Sequence, residues 1–286
     1  MKFSIVTPCY NAQGWIADTV RSIRTQSALN DDDVFLQYIV VDGGSTDATV
    51  AEARGSWADH ERAELRVISE PDQGMYDALV KGMMLADGDV VSYLNAGDYY
   101  SPHCLSVVRE CFENVGTEWL TGMRAIYAPS GALISAKVPW RYDQRLIRSG
   151  HYGVRGGRFI QQESTFWLRT LHRELDFEQL ATLRLAGDLY LWTRFARSAQ
   201  LDVVAAHLGG FRFHGEHLSD AIETYRAEAQ GFLERRLLSG YVRAPAHEVL
   251  SWLPVPIRRS LGATPGLISW DRGQGVWTRT GRSRLA

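Results

Sequence analysis

The sequence predicts an α/β protein built on a mostly parallel sheet, and three observations predict it. Over the first hundred residues, short β-rich runs alternate with segments of helical period. One run, Phe35–Val41, is apolar almost throughout, as a strand buried on both faces of a parallel sheet must be. Every run in this region ends in polar or turn-forming residues, where such a sheet carries its ligand-binding edge.

The elements follow in order. Phe3–Val6 is a first strand that ends at Pro8. From Trp15 to Thr25 the apolar residues Ile16, Val20 and Ile23 recur at helical spacing. Phe35–Val41 is the second strand, and Ser45-Thr46-Asp47 starts a helix with a hydroxyl cap and an acid in its first turn. Leu65–Ser69 is the third strand, Met75–Ala86 a helix with Leu79, Met83 and Ala86 on one face, and Val90–Leu94 the fourth strand. That order implies right-handed crossovers. After about residue 115 the pattern changes. Trp119–Tyr127 and Ala132–Val138, joined by Pro129-Ser130-Gly131, read as an antiparallel hairpin. Ser149 to Arg158, rich in glycine and arginine, is expected to be a mobile loop, and Leu180–Ala199 and Ile222–Leu238 are expected to be helices. The chain divides accordingly into residues 1–115, residues 116–220 as the second half of the same domain, and a helical C-terminal extension over 221–286.

Composition narrows the function. The 286 residues are 45% apolar and 22% charged with a net charge of −2, which argues against binding nucleic acid through bulk charge. Cys9, Cys104 and Cys111 form no CxxC pair, so a disulfide framework or structural zinc is not expected, and a reducing compartment is. MKFSIVTPCYN carries no long apolar run after its lysine and reads as no signal peptide. No stretch reaches the ~18–20 apolar residues that span a bilayer. A cytoplasmic protein is expected.

The four strand ends are Thr7-Pro8-Cys9-Tyr10-Asn11, Asp42-Gly43-Gly44-Ser45, Glu70-Pro71-Asp72-Gln73-Gly74 and Asn95-Ala96-Gly97-Asp98. An aspartate after a strand commonly caps the next helix; four polar ends in register point instead to one shared ligand. The segments SIVTPCYN, VVDGGSTDAT, EPDQGMYDALVKG and DGDVVSYLNAGD, in this order and spacing, resemble the successive signatures of family 2 glycosyltransferases. The likeness is close over roughly residues 3–100 and looser to about residue 220.

The resemblance implies a GT-A fold, Rossmann-like with helices on both faces, and inverting transfer from a nucleotide-sugar donor to a glycan or lipid-linked acceptor, as in polysaccharide biosynthesis. It gives Pro8, Tyr10, Asn11 and Asp42 the nucleotide base and ribose, although Gly43 stands where many members carry a second aspartate. Asp72, Asp77 and Lys81 would lie near the donor, with Lys81 either pairing with the diphosphate or a solvated helix lysine. Asn95, Gln162 and Glu163 would touch donor or acceptor, and Trp167 would stack on a sugar ring or fill the core. A divalent cation, Mn²⁺ or Mg²⁺, would be held by Asp98 and by His214 or His217, because Ala96 replaces the first acid of the usual cluster. Asp188, in Ala186-Gly187-Asp188-Leu189, matches the family's catalytic base; an ordinary acid at a helix start is the other reading.

Other classes fit less well. A sugar-phosphate nucleotidyltransferase would carry a basic, glycine-rich loop after the first strand, where this chain has TPCYNAQG. A dinucleotide oxidoreductase would carry GxGxxG there. A catalytically silent sugar-nucleotide or carbohydrate-binding protein remains an alternative through Ala96 and Gly43. From Val255 the tail holds six arginines and one acid, with Trp270 and Trp277, and Trp252 just before it. It reads either as a packed subdomain or as a peripheral contact with the inner face of the membrane.

Overall fold

The computed structural model describes residues 1–139, 141–155, 159–213, 222–233, 257 and 267–280. The strands are β1 (Lys2–Cys9), β2 (Phe35–Asp42), β3 (Ala63–Ser69), β4 (Val90–Tyr93), β5 (Tyr99–Tyr100), β6 (Trp119–Thr121), β7 (Arg124–Tyr127), β8 (Leu133–Lys137), β9 (Thr165–Leu168), β10 (Asp202–Val204), β11 (Gly209–Arg212), β12 (Leu267–Asp271) and β13 (Val276–Thr280). The α-helices are α1 (Ile16–Arg24), α2 (Thr49–Gly55), α3 (Met75–Leu85), α4 (Cys104–Glu110), α5 (Gln144–Arg148), α6 (Phe177–Thr182), α7 (Gly187–Phe195) and α8 (Ile222–Gln230). The alternating βα order of the first hundred residues matches the sequence reading element for element.

Among the described residues, nine strands form one sheet in the order β13-β12-β10-β6-β9-β4-β1-β2-β3. β1 pairs in parallel with β2 and β4, and β2 with β3. β9 runs antiparallel between β4 and β6 and so ties the second half to the first. A second, four-stranded sheet has the order β5-β11-β7-β8.

Side chains of the central strands alternate between two cores, one on each face. Phe3, Ile5, Leu36, Tyr38 and Val40 face α1 and α4, while Val6, Ile39 and Val41 face α3, α6 and α7. Both faces are therefore covered, which is why β2 is apolar nearly throughout. Trp119, Trp167, Trp192 and Phe195 pack as one aromatic block, with Trp119 and Trp192 stacked at 5.7 Å. Trp167 is thus a core residue rather than a sugar platform.

Some expectations change. The run Trp119–Tyr127 divides between the two sheets, as β6 and β7, and only β7–β8 makes the hairpin. The single helix expected over Leu180–Ala199 is two, α6 and α7, because the carboxylate of Glu228 accepts from the N–H groups of Arg184, Leu185 and Ala186 and holds a turn there. The described part of the expected mobile loop is packed, with His151 and Tyr152 buried. In the extension, α8 is followed by a described hairpin, β12–β13, that joins the large sheet. Its Arg279 pairs with Asp202 at 2.5 Å, so this arginine of the tail faces the sheet. No helix among the described residues is long and apolar enough to cross a membrane.

Candidate active site

The ends of β1, β2 and β3 are laced together by their own polar groups. Pro8 is buried in β1, and Tyr10 beyond it is 62% exposed. Asn11 adopts a left-handed conformation (φ 46°), which asparagine tolerates better than most residues. Its N–H donates to Ser45 Oγ at 2.8 Å and its Oδ1 accepts from the Thr46 N–H at 3.0 Å. Asp42 is fully buried. Its Oδ2 accepts from the Ser45 N–H (3.0 Å) and from Ser69 Oγ (2.7 Å), and its Oδ1 accepts from Ser45 Oγ. Asp42 therefore holds the loops in place, with both oxygens already engaged.

Gly43 has a steric reason. A Cβ there would lie 2.5 Å from Asp72 Oδ2, so the Asp72 carboxylate occupies the room a side chain at position 43 would need. Asp72 Oδ1 also accepts from the Gly74 N–H at 2.9 Å. Asp77 and Lys81 close this turn from outside. Asp77 accepts from the Gln73 N–H at 3.0 Å, and Lys81 Nζ sits 3.0 Å from Glu70 and 3.7 Å from Asp77. The hydrogen bond that Lys81 donates to Glu70 is the first cause of its raised pKa. Lys81 is thus committed to neighbouring acids of its own turn.

A second group of acids is held differently. Asp98 is buried; its Oδ1 accepts from the Arg212 N–H at 2.8 Å and its backbone oxygen from Thr19 Oγ at 2.9 Å. Burial, then the charge of Glu163, raise its pKa well above the carboxylate range. Glu163 is buried in a short 3₁₀ turn, Gln162–Ser164, and burial with the added charge of Asp188 pushes it up to about 7. Asp188, half-buried at the start of α7, is pushed by burial up to about 6. Its Oδ1 accepts from the Leu189 N–H at 2.6 Å and from Tyr225 Oη at 3.1 Å. Three acids from distant parts of the sequence are thus raised by burial, with Glu163 feeling the charge of Asp188 and Asp98 that of Glu163.

Two neutral oxygens accompany them. Gln162 donates through Nε2 to the Tyr93 carbonyl, while its Oε1 and Asn95 Oδ1 are buried without a hydrogen-bond partner. Buried acceptors are seldom left so. An all-oxygen set of this kind suits sugar hydroxyls or a hard divalent cation. Asp98 and Asn95 are the described residues that would hold such an ion. Among the described residues no group of three or more His, Cys, Asp and Glu side chains is arranged for a metal. His214 and His217 lie outside the described residues. The described chain reaches Phe213, just after the Arg212 N–H that binds Asp98.

Three residues were missed by the sequence reading. Tyr76 is buried, accepts from the Asp188 N–H at 3.1 Å and donates to the Leu185 carbonyl at 3.2 Å. A Cβ at Gly187 would lie 2.4 Å from the Tyr76 ring, so the glycine lets α7 start directly over it. Tyr76 adjoins Asp77 in the third motif, which was its available signal. Tyr225 and Glu228 lie on α8, outside every motif, and had none.

The family description that matches the chain is Glycosyl transferase family 2, over residues 4–165, more than half of its length. Among curated relatives, an uncharacterised glycosyltransferase of Mycobacterium tuberculosis is 35% identical over 98 residues, 34% of this chain and 34% of that one. A PGL/p-HBAD biosynthesis glycosyltransferase of Mycobacterium bovis is 32% identical over 96 residues, 34% of this chain and 35% of that one. The matched region is thus about a third of the length of these relatives. Among solved structures, S. aureus TarS 1-349 in complex with UDP-GlcNAc superposes with a TM-score of 0.58 at 15% identity, covering 91% of this chain and 70% of that one. The Pyrobaculum calidifontis mannosyltransferase in complex with GDP-Man and Mn²⁺ gives 0.59 at 16%, covering 89% and 71%. At such identities the structures show a shared fold.

Proposed function

Because the chain belongs to glycosyltransferase family 2, we propose that it moves a sugar from a nucleotide-sugar donor to an acceptor hydroxyl with inversion at the anomeric carbon. The observation that carries this reading is the chain of buried acids Asp98, Glu163 and Asp188: burial raises all three, the charge of Glu163 raises Asp98 further, and the charge of Asp188 raises Glu163 further. Titratable groups perturbed by burial and by each other cluster at sites of chemistry.

Each group then has a task. The laced strand ends at Pro8, Asn11, Asp42 and Asp72 cradle the nucleotide, with Tyr10 exposed above them. Asp188, as carboxylate, takes the proton of the acceptor hydroxyl while that oxygen attacks the anomeric carbon. The new C–O bond forms as the bond to the diphosphate breaks, and the nucleoside diphosphate departs. A base with a pKa of about 6 is mostly ionised at neutral pH yet basic enough to act. Gln162 and Glu163 bind sugar hydroxyls. A divalent cation, held by Asp98, Asn95 and one of His214 and His217, would neutralise charge developing on the leaving diphosphate. Neighbours of the same fold were solved with UDP-GlcNAc and with GDP-Man and Mn²⁺, which supports a donor of this class and a cation of this kind. The acceptor is a glycan or lipid-linked hydroxyl of a polysaccharide or glycolipid, met at the inner face of the membrane.

A panel of UDP-, GDP- and dTDP-sugars, with and without Mn²⁺, tests this through nucleotide release. One donor is expected to release nucleotide in a cation-dependent manner. Tight binding of a nucleotide with no release from any donor would make the chain a silent binding protein.

A further inference from the structure

The polar contacts of Asp188 lead to a helix outside the family match. α8 (Ile222–Gln230) begins more than fifty residues after residue 165, where that match ends. Tyr225 is 7% exposed and donates to Asp188 Oδ1 at 3.1 Å. Three residues on, and so on the same helix face, Glu228 accepts from Arg184, Leu185 and Ala186, the last residues before α7 (2.8, 2.9 and 2.9 Å). One turn of α8 therefore grips both the carboxylate and the backbone that carries it.

The grip is built in by packing. The Tyr225 ring meets Phe159 edge-on at 5.8 Å, and the hydroxyl lies 3.3 Å from where a Cβ of Gly153 would stand. Ala229, one residue past Glu228, is fully buried in the core. The ionisable groups that feel the charge of Asp188 are Tyr76 and Tyr93 from the N-terminal half, Glu163 from the 3₁₀ turn and Tyr225 from α8, while Glu228 acts on Tyr76 and Tyr225. Of these, Tyr225 donates to the carboxylate itself, whereas Tyr76 accepts from the Asp188 N–H.

We infer that α8 is a positioning element of the active site: Tyr225 orients the Asp188 carboxylate and Glu228 fixes the start of α7, so that Asp188 Oδ2 is the oxygen that takes the acceptor's proton. The inference rests on the reading of Asp188 as base. Both hydrogen bonds to the side chain fall on Oδ1, which leaves the two oxygens unequal. The Tyr225 hydroxyl also stabilises the ionised form and so lowers the pKa that burial raises. Neither effect involves contact with the donor nucleotide.

The test uses the full chain with its best donor from the panel. In Tyr225→Phe, kcat falls about tenfold, the loss expected for a hydrogen bond to a charged group. Donor KM stays within about twofold, and the acidic limb of the kcat–pH profile moves up by roughly half to one unit. Glu228→Gln is expected to lower kcat by a similar factor, again with donor KM unchanged. An unshifted limb with wild-type kcat in Tyr225→Phe overturns the inference. Loss of kcat with an unmoved limb does so too, since general destabilisation would produce it. If Tyr225→Phe does not fold, Glu228→Gln decides: wild-type kcat overturns the positioning role. Asp188→Asn separates the two readings. An active Asp188→Asn defeats the base assignment, whereas an inactive one beside a wild-type-like Tyr225→Phe defeats only the role of α8.

Discussion

Asp42 and Asp188 are both enclosed aspartates near the carboxyl ends of the sheet, and their surroundings are opposite. Asp42 has four donors on its two oxygens, the Cys9 thiol, the Ser45 N–H and hydroxyl and the Ser69 hydroxyl, all from the strand ends it holds together. Asp188 receives two, on one oxygen, and burial pushes it up to about 6. The same contrast separates the regions around them. Asn11, Asp77 and Lys81 are matched to neighbouring polar groups, whereas Asp98 and Glu163 are raised and Asn95 and Gln162 keep buried oxygens without partners. One region uses polarity to make a rigid cradle. The other holds polarity in reserve, at a cost to stability that a ligand can offset.

The comparison can be broken by substitution, and the largest effect is expected at Asp188, the proposed base. Asp188→Asn should lower turnover about 10³-fold, some 4 kcal/mol of transition-state stabilisation, while nucleotide affinity stays within about twofold. Turnover and calorimetric nucleotide binding, measured on one preparation, decide it. Equal losses in both would merge the two regions into one.

Stability should move in opposite directions at the two aspartates. Asp42→Asn loses a charged acceptor for buried donors and is expected to cost about 2–3 kcal/mol in denaturant unfolding at neutral pH. Asp188→Asn should stabilise the fold by on the order of 1 kcal/mol at pH 7.5. The sign follows from linkage: the folded-state pKa of about 6 lies above the ordinary 3.8, so the folded protein favours the protonated acid. The ionisation penalty is absent below about 3.8 and complete above about 6, and the gain should therefore vanish near pH 3.5. Destabilisation at both positions would erase the contrast.

The smallest effect is expected at Lys81. Its partners are Glu70 and Asp77, so Lys81→Met should change donor KM less than about threefold and stability by under about 1 kcal/mol. A tenfold rise in donor KM would move Lys81 from the scaffold to the diphosphate.

The strand ends proposed to hold the nucleotide were legible because their residues are local. Each strand end is a short run, and a parallel sheet brings such ends to one edge whatever the loops do. The α/β order, the four strand ends and the family could therefore be read from residues 3–100, and Asp188 from a short segment before a helix. The hairpin was legible only in part, since no period announces that one β-run changes sheets between Thr121 and Arg124. The break between α6 and α7 was hidden because a carboxylate more than forty residues away makes it.

What the sequence determined by itself is the set of chemical groups and the scaffold that gathers the first of them. The tertiary structure decided which carboxylates are engaged and which are held out of balance. It placed Asp72 in the space Gly43 leaves, linked Asp98 to Glu163 and Glu163 to Asp188 through their charges, and brought Tyr225 and Glu228 from a helix without a motif onto Asp188 and the backbone before it. The physical reason is that ionisation and hydrogen-bond satisfaction depend on burial and on neighbours far away in the chain. Residue type and spacing along the sequence report neither.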